Sequence, residues 1–414
     1  MRYKMPGLLV LLLSAGLSRA ENWPCWRGPN GTGHAAEKSP PLKWSDKENI
    51  RWKTPLPEGG NASPVIWGDS IFLTQCDKKG AKRGVMCLDR ATGKQRWFYT
   101  VDFTGNEPTH GTNPAGSATC ATDGERVIAS LGSAGLVCLD FEGKEIWKKD
   151  LGMFVHVWGT ASSPVIHGDQ VYLWCGPGER QFLLAVNKKT GDEIWKTDEP
   201  GGKSGLTGNT DWIGSWSTPV VATIGGKEQI VLSVPKKVKG FDSKTGKELW
   251  SCDGLTNLVY TSPVVSPDGI VVAMSGYGGS ALAVRVDGEG DLTKKRLWHH
   301  PRNPQRIGSA VVLGEHAYLM NETGLASCFD LKTGKDLWNK ERATSSTWGS
   351  FVLAAGRLYV TNNGGETVVV KADLKYEELA KNKLPDRVLA SIAMSDGELY
   401  IRGYKYLWCV SEKK

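Results

Sequence analysis

Several features are missing from this 414-residue chain, and each absence removes a class of protein. Past residue 20 no stretch is apolar enough to span a bilayer, which takes roughly 20 consecutive apolar residues. Neither sign of charge dominates. Lys and Arg number 51 against 44 Asp and Glu, interspersed along the chain, so the basic footprint of a nucleic-acid binder is absent. The nine cysteines contain no vicinal pair, no Cys-x-x-Cys and no Cys/His metal spacing, so zinc and thioredoxin-like sites are excluded. Long helical periodicity is also lacking, with residues 374–383 the only weak candidate. Glycine follows no three-residue period, which rules out collagen, and 40% hydrophobic content rules out a disordered chain.

What the chain has in excess is glycine and tryptophan, 50 and 17 residues. Many turns with many large apolar anchors point to short strands joined by tight turns. The first 20 residues read as a secretory signal peptide. Arg2 and Lys4 form a basic start, Gly7 to Leu17 an apolar core, and Ser18-Arg19-Ala20 a small-x-small cleavage site before Glu21. Cys25 follows Trp23-Pro24 and not the small residues of a lipid-attachment site. Residues 21–414 are then expected as one exported domain, periplasmic or secreted, not membrane-spanning, and monomeric.

A repeat dominates the rest. Asp89-Arg90-Ala91-Thr92-Gly93 is followed by Trp97, and the pattern recurs at Asn187/Thr190/Gly191/Trp195, Asp242/Thr245/Gly246/Trp250 and Asp330/Thr333/Gly334/Trp338. A copy one residue shorter runs from Asp140 to Trp147, and Trp298 ends a copy carrying an inserted Asp-Gly-Glu-Gly. In each unit the Asp, or Asn187 in one copy, accepts backbone N–H bonds at a turn and the Gly takes a positive φ. The tryptophan anchors the returning strand of a hairpin. A second apolar pair precedes each hairpin, as in Pro64-Val65-Ile66 and Ser70-Ile71-Phe72-Leu73. Each unit is a four-stranded meander. Tryptophan spacings of 45, 50, 48, 55, 48 and 40 residues from Trp52 to Trp338 are those of propeller blades.

Fourth strands at Trp52, Trp97, Trp147, Trp195, Trp250, Trp298, Trp338 and near Leu379 make eight blades. The segment Asn49 to Lys53 is a fourth strand without its first three, and Leu407 to Val410 a third strand without its fourth. Pairing the two closes the ring and leaves only short edges. Cys87, Cys138, Cys328 and Cys409 fall at one equivalent repeat position, too far apart to bond, and read as small buried hydrophobes. Ser63, Ser163, Thr218 and Ser262, each before Pro, read as structural hydrogen-bonders at strand starts.

The Asp-x-x-Thr-Gly-x-x-x-Trp unit resembles the tryptophan-docking motif of pyrroloquinoline quinone (PQQ)-like repeat propellers. The opening Trp23-Pro24-x-Trp26-Arg27-Gly28-Pro29-Asn30 is similar to the start of exported PQQ-like propellers common in planctomycete bacteria. The resemblance implies an all-β, eight-bladed propeller whose docking tryptophans lie between blades and touch no cofactor. The family holds at least two functional classes: quinoprotein dehydrogenases, with PQQ and a metal on the axis, and a lipoprotein of outer-membrane assembly that binds proteins and no quinone. Fold does not choose between them.

Binding is expected where the loops differ from blade to blade. The loops entering the blades and those joining second to third strands share one face. They carry His110, His156, Trp158, Asp211, Trp212, Trp216, Tyr260, Arg306 and Trp348, with Glu179 between the second and third strands of one blade. These ten are the candidate ligand-binding residues, for a small molecule or a protein segment. If the three tryptophans 158, 216 and 348 only fill the channel, no site exists. A quinoprotein would assign Asp211 as base, Trp212 or Trp216 to stack on the quinone, and Arg306 as the cation. Glu179 and Asn321 would stand near calcium. Two departures stand against it: the vicinal disulfide of several methanol-type enzymes is absent, and Arg27-Gly28 breaks the dehydrogenase signature. His34, His299 and His300 are expected in solvent and not as metal ligands. The leading expectation is a binding module, with a PQQ-dependent alcohol or sugar dehydrogenase and an outer-membrane assembly scaffold as alternatives.

Overall fold

The repeat unit explains the architecture. In the first blade the strands are Val65–Trp67, Ser70–Cys76, Lys82–Asp89 and Gln95–Asp102, paired antiparallel in sequence order. Asp89 closes the last hairpin: its Oδ1 accepts from Thr92 N at 2.9 Å and Thr92 Oγ1 at 2.8 Å. Gly93 N reaches Asp89 O at 2.7 Å. Gly93 has a φ of +72°, and a Cβ there would stand 2.6 Å from the Trp52 ring. Glycine is thus required twice over, for the turn and for the neighbouring blade's tryptophan.

This computed structural model describes residues 21–77, 79–206, 208, 211–302, 304 and 306–412. The signal-peptide reading of residues 1–20 lies outside the described residues. Further meanders occupy 121–149, 165–200, 220–253, 264–300, 311–342, 352–383 and 393–411. The last is completed by Ile50–Pro55, antiparallel to Tyr406–Ser411 with Trp52 opposite Cys409 and Lys53 opposite Trp408. Eight four-stranded blades form an eight-bladed β-propeller, closed by its N-terminal strand as expected. No α-helix occurs among the described residues, and none is long and apolar enough to cross a membrane. The stretch 374–383 ends in the strand Glu378–Lys383, so the weak helical pattern there is overridden by pairing with Glu366–Lys371.

Each docking tryptophan reaches into the next blade. Trp52 Nε1 donates to Arg90 O, Trp97 to Phe141 O, Trp147 to Lys188 O, Trp195 to Ser243 O, Trp298 to Leu331 O and Trp338 to Asp373 O, at 2.8–3.1 Å. Trp250 differs. Its Nε1 bonds Gln229 Oε1 in its own blade at 2.7 Å, because the inserted Asp-Gly-Glu-Gly places Gly290–Asp291 parallel to Trp250–Ser251 instead of a Thr-Gly turn. All nine cysteines are free thiols, eight of them buried.

Where the blades meet the axis a belt of hydroxyls joins them. Ser63 N donates to Thr119 Oγ1, Thr119 N to Ser163 Oγ, Ser163 N to Thr218 Oγ1 and Thr218 N to Ser262 Oγ. Ser262 N continues to Ser309 Oγ, Ser309 N to Ser350 Oγ and Ser350 N to Ser391 Oγ, at 2.8–3.2 Å throughout. The junction between the eighth and first blades is held by Arg402, whose buried guanidinium donates to Ala62 O at 3.1 Å and Thr74 O at 3.0 Å.

Candidate functional site: an aromatic funnel on the axis

The entry loops hold one another in place. Asn61 Nδ2 donates to Thr112 O at 2.7 Å. Asn113 Nδ2 donates to Trp158 O at 2.6 Å and Thr160 O at 3.2 Å. Trp216 Nε1 donates to Gly159 O at 2.8 Å, and Gly214–Ser215 pairs in parallel with Leu258–Val259. Beneath them lies the Arg83–Glu107 ion pair, its side chains 3% and 2% exposed. Glu107 also accepts from Ser133 N at 2.9 Å and Thr160 Oγ1 at 3.1 Å. A buried pair with its remaining lone pairs satisfied fixes geometry more than it adds stability.

The loops enclose a cavity of about 370 Å³, within the range of roughly 300–1,000 Å³ usual for small-ligand sites. Its wall carries Trp158, Trp216, Trp348, Tyr260, Tyr277 and His110, and six of the eight belt residues, Thr119, Ser163, Thr218, Ser262, Ser350 and Ser391, also line it. Trp158 is the hub. Its ring centroid lies 4.9 Å from Trp212, 5.8 Å from Trp216, 5.8 Å from Tyr260 and 6.3 Å from Tyr277. The Trp212 and Tyr260 contacts are T-shaped, a favoured aromatic geometry. Gly276 makes room for Tyr260, since a Cβ there would lie 1.9 Å from its ring. Burial raises the Tyr260 hydroxyl pKa, so it stays a neutral donor.

The ten sequence-derived candidates separate into three groups. His110, Trp158, Trp216, Tyr260 and Trp348 line the cavity, and Trp212 packs on Trp158. His156 lies behind the wall, edge-on to Trp216 at 4.9 Å, and burial lowers its pKa to about 4. Glu179, Asp211 and Arg306 are not on the wall. Glu179 is exposed, and Asp211 is exposed beside Lys203, 3.3 Å away. Arg306 is 2% exposed, with its guanidinium 5.8 Å over Phe329.

The wall also includes a residue that the repeat did not reveal. Trp26 reaches the cavity floor and also borders a second cavity of about 260 Å³ on the other side. Its segment crosses the channel. Trp23 pairs with Ile66, Thr122 N donates to Pro24 O, and Arg27 Nη2 donates to Ala310 O. His34 Nε2 meets Val312 O at 2.7 Å, and Ala35 N donates to Leu353 O at 2.9 Å. His34, itself part of this plug, is therefore half-buried and held by the Val312 carbonyl, not free in solvent. His299 and His300 likewise contact the Gly254 and Gly334 carbonyls. The density of Trp, Gly and Pro between residues 22 and 33 was the available signal, but a segment that occurs once has no period to report it.

The donors of a calcium–quinone centre are not assembled here. Among the described residues no Asp, Glu, Lys or Arg is on the wall. Asn321 Oδ1 is engaged by Thr323 and Leu325 of its own turn. Among the described residues no group of three His, Cys, Asp or Glu is placed to hold a metal ion. The nearby Glu322 is half-buried beside Trp348, and burial raises its carboxyl pKa.

The family described as "Outer membrane protein assembly factor BamB" matches residues 100–340 and 322–413. The chain belongs to this PQQ-like repeat propeller family. The outer membrane protein assembly factor BamB of Burkholderia pseudomallei (strain K96243) is 23% identical over 364 residues, 76% of this chain and 86% of that protein. BamB from Moraxella catarrhalis superposes with a TM-score of 0.58 at 12% identity, covering 88% of this chain and 97% of that one. The quinohemoprotein alcohol dehydrogenase from Comamonas testosteroni gives 0.55 at 13% identity, covering 97% and 82%. At these identities the structural likeness establishes the fold and spans both an assembly factor and a dehydrogenase.

Proposed function

We propose that the protein is an exported binding module of the bacterial cell envelope that holds partner proteins at its funnel face, in the manner of an outer-membrane assembly scaffold. The observation that carries this reading is the uncharged aromatic cavity opening onto an apolar rim. Tyr277 lines the cavity, and Met153, Val155, Leu206 and Tyr277 are all exposed on connecting loops, where solvent alone gives large apolar side chains no reason to stand. Cleavage after Ala20 and a periplasmic or secreted location are part of this proposal. His110, Trp158, Trp212, Trp216, Tyr260 and Trp348 form its contact set.

The quinoprotein alternative asks for a base, a cation and hard metal ligands on the same wall, and Asp211, Arg306 and Glu179 stand elsewhere. Titrating the purified protein with PQQ, with and without calcium, separates the two readings. A tight ligand raises the thermal midpoint by mass action. The binding-module reading expects no shift and no dye-linked alcohol oxidation. A calcium-dependent rise in midpoint together with turnover would overturn it.

A further inference from the structure

The plug begins and ends at one place. Glu21 N donates to Asp396 Oδ1 at 2.7 Å, and Ser395 Oγ donates to Glu21 O. Sixteen positions later the segment returns, and Gly397 N donates to Glu37 Oε2 at 2.6 Å. Glu21 Oε1 accepts from Ala36 N at 2.6 Å, tying the two ends to each other. The segment that crosses the channel is therefore a closed strap, clasped at the turn 395–397.

That clasp is short of positive charge. Glu21, Glu37 and Asp396 bring three carboxylates together. Arg90 reaches Asp396 Oδ2 at 3.1 Å, but it also serves Glu398 and the Ser395 carbonyl. Arg51 pairs with Glu398, not with the clasp. Glu37 is only 8% exposed, and its buried Oε1 receives no donor, its carboxyl facing that of Glu21. Burial and the neighbouring Glu21 and Asp396 raise the Glu37 pKa to about 7. A buried carboxylate oxygen that no donor reaches marks a missing cation or donor.

The chain contains such a cation in latent form. We propose that cleavage between Ala20 and Glu21 converts the Glu21 amide into an α-ammonium that completes this acidic clasp and locks the strap across the channel. The reaction is hydrolysis by an envelope signal endopeptidase. Water adds across the Ala20–Glu21 bond, Ala20 leaves as a carboxylate, and the Glu21 amine takes up a proton. In the uncleaved chain the same nitrogen is a neutral donor to Asp396. After cleavage it carries charge within 2.7 Å of that carboxylate. Export and folding are thereby coupled: the floor of the funnel, which includes Trp26, becomes secure only in the processed protein. This rests on the export reading above.

Two measurements separate the export reading from the clasp. The intact mass of the protein recovered from the envelope reports its first residue, and a start other than Glu21 overturns the proposal. Protein beginning at Glu21 is then compared with protein carrying a Gly-Ser extension, both full-length to residue 414. The Glu21 form should have the higher thermal midpoint and slower protease cleavage within 22–37. Its α-amine should titrate above about 9, against an ordinary value of about 7.7–8.0. Because an extension could act by bulk, Glu37→Gln and Asp396→Asn are made in both forms. A charge clasp predicts that both substitutions lower the midpoint of the Glu21 form and lower that of the extended form less. Equal midpoints and equal strap cleavage in the two forms would overturn the proposal. So would a midpoint of the extended form restored by calcium and lost with Glu37→Gln, which would make the missing cation a metal ion.

Discussion

At the residue scale the docking tryptophans set the size of their neighbours. Opposite Trp97, Trp147 and Trp52 stand Cys87, Cys138 and Cys409. Opposite Trp195, Trp298 and Trp250 stand Ala185, Ala283 and Gly240. The seventh blade inverts the arrangement, with Ala380 in the tryptophan position facing Val369. Cys87, Cys138 and Cys409 are thus spacers of suitable volume, and each remains a free thiol. Cys138→Ala should cost less than about 1.5 kcal/mol in urea unfolding, while Ala380→Trp should cost about 1–3 kcal/mol by overpacking. Adding Val369→Ala should recover part of that loss, since residues in contact couple.

His156 gives a pH signature at the same scale. Burial holds its folded pKa near 4, below the ordinary value of about 6.5. The unfolded chain therefore binds the proton more readily. The contribution to stability is fully present above about pH 6.5 and is lost as pH falls toward 4. Thermal midpoints of the native protein should drop across that window, and His156→Phe should flatten the drop. An equal drop in both proteins would assign it to other groups.

At the element scale the belt is the feature most exposed to test. Ser163→Ala leaves the buried Thr119 N–H without an acceptor, at a cost of about 1–3 kcal/mol. Ser163→Thr keeps the hydroxyl and should stay near the native urea midpoint. Half of this belt was legible in the sequence, because Ser63, Ser163, Thr218 and Ser262 share a following proline. Thr119, Ser309, Ser350 and Ser391 lack it, and only the ring shows that they are the same position. The Thr-Gly turns were legible for a related reason: each repeats one contact, so each copy carries the same residues. The strap and the inserted pairing strand Gly290–Asp291 occur once, and no repetition exposes them.

At the scale of the whole molecule the eight blades and their closure followed from counting half-blades at the two ends. The funnel was legible only in part. Entry-loop position placed His110, Trp158, Trp216, Tyr260 and Trp348 on the wall, because large aromatic side chains there have nowhere else to bury. It misplaced the charged candidates. Side-chain direction decides where Asp211, Arg306 and Glu179 go: two turn to water and Arg306 turns inward over Phe329. An irregular loop has no periodicity to report that direction. The same separation of charge from the wall is the basis of the functional reading.

Site-specific photo-cross-linking in envelope preparations tests that reading most directly. A benzophenone side chain is placed at Leu206 on the apolar rim and at Lys189 on a turn of the opposite face. The account predicts a discrete protein adduct from position 206, none from 189, and loss of the adduct in Trp158→Ala protein whose thermal unfolding remains cooperative. Equal adducts from both faces, or an adduct from 206 that survives Trp158→Ala unchanged, would contradict it.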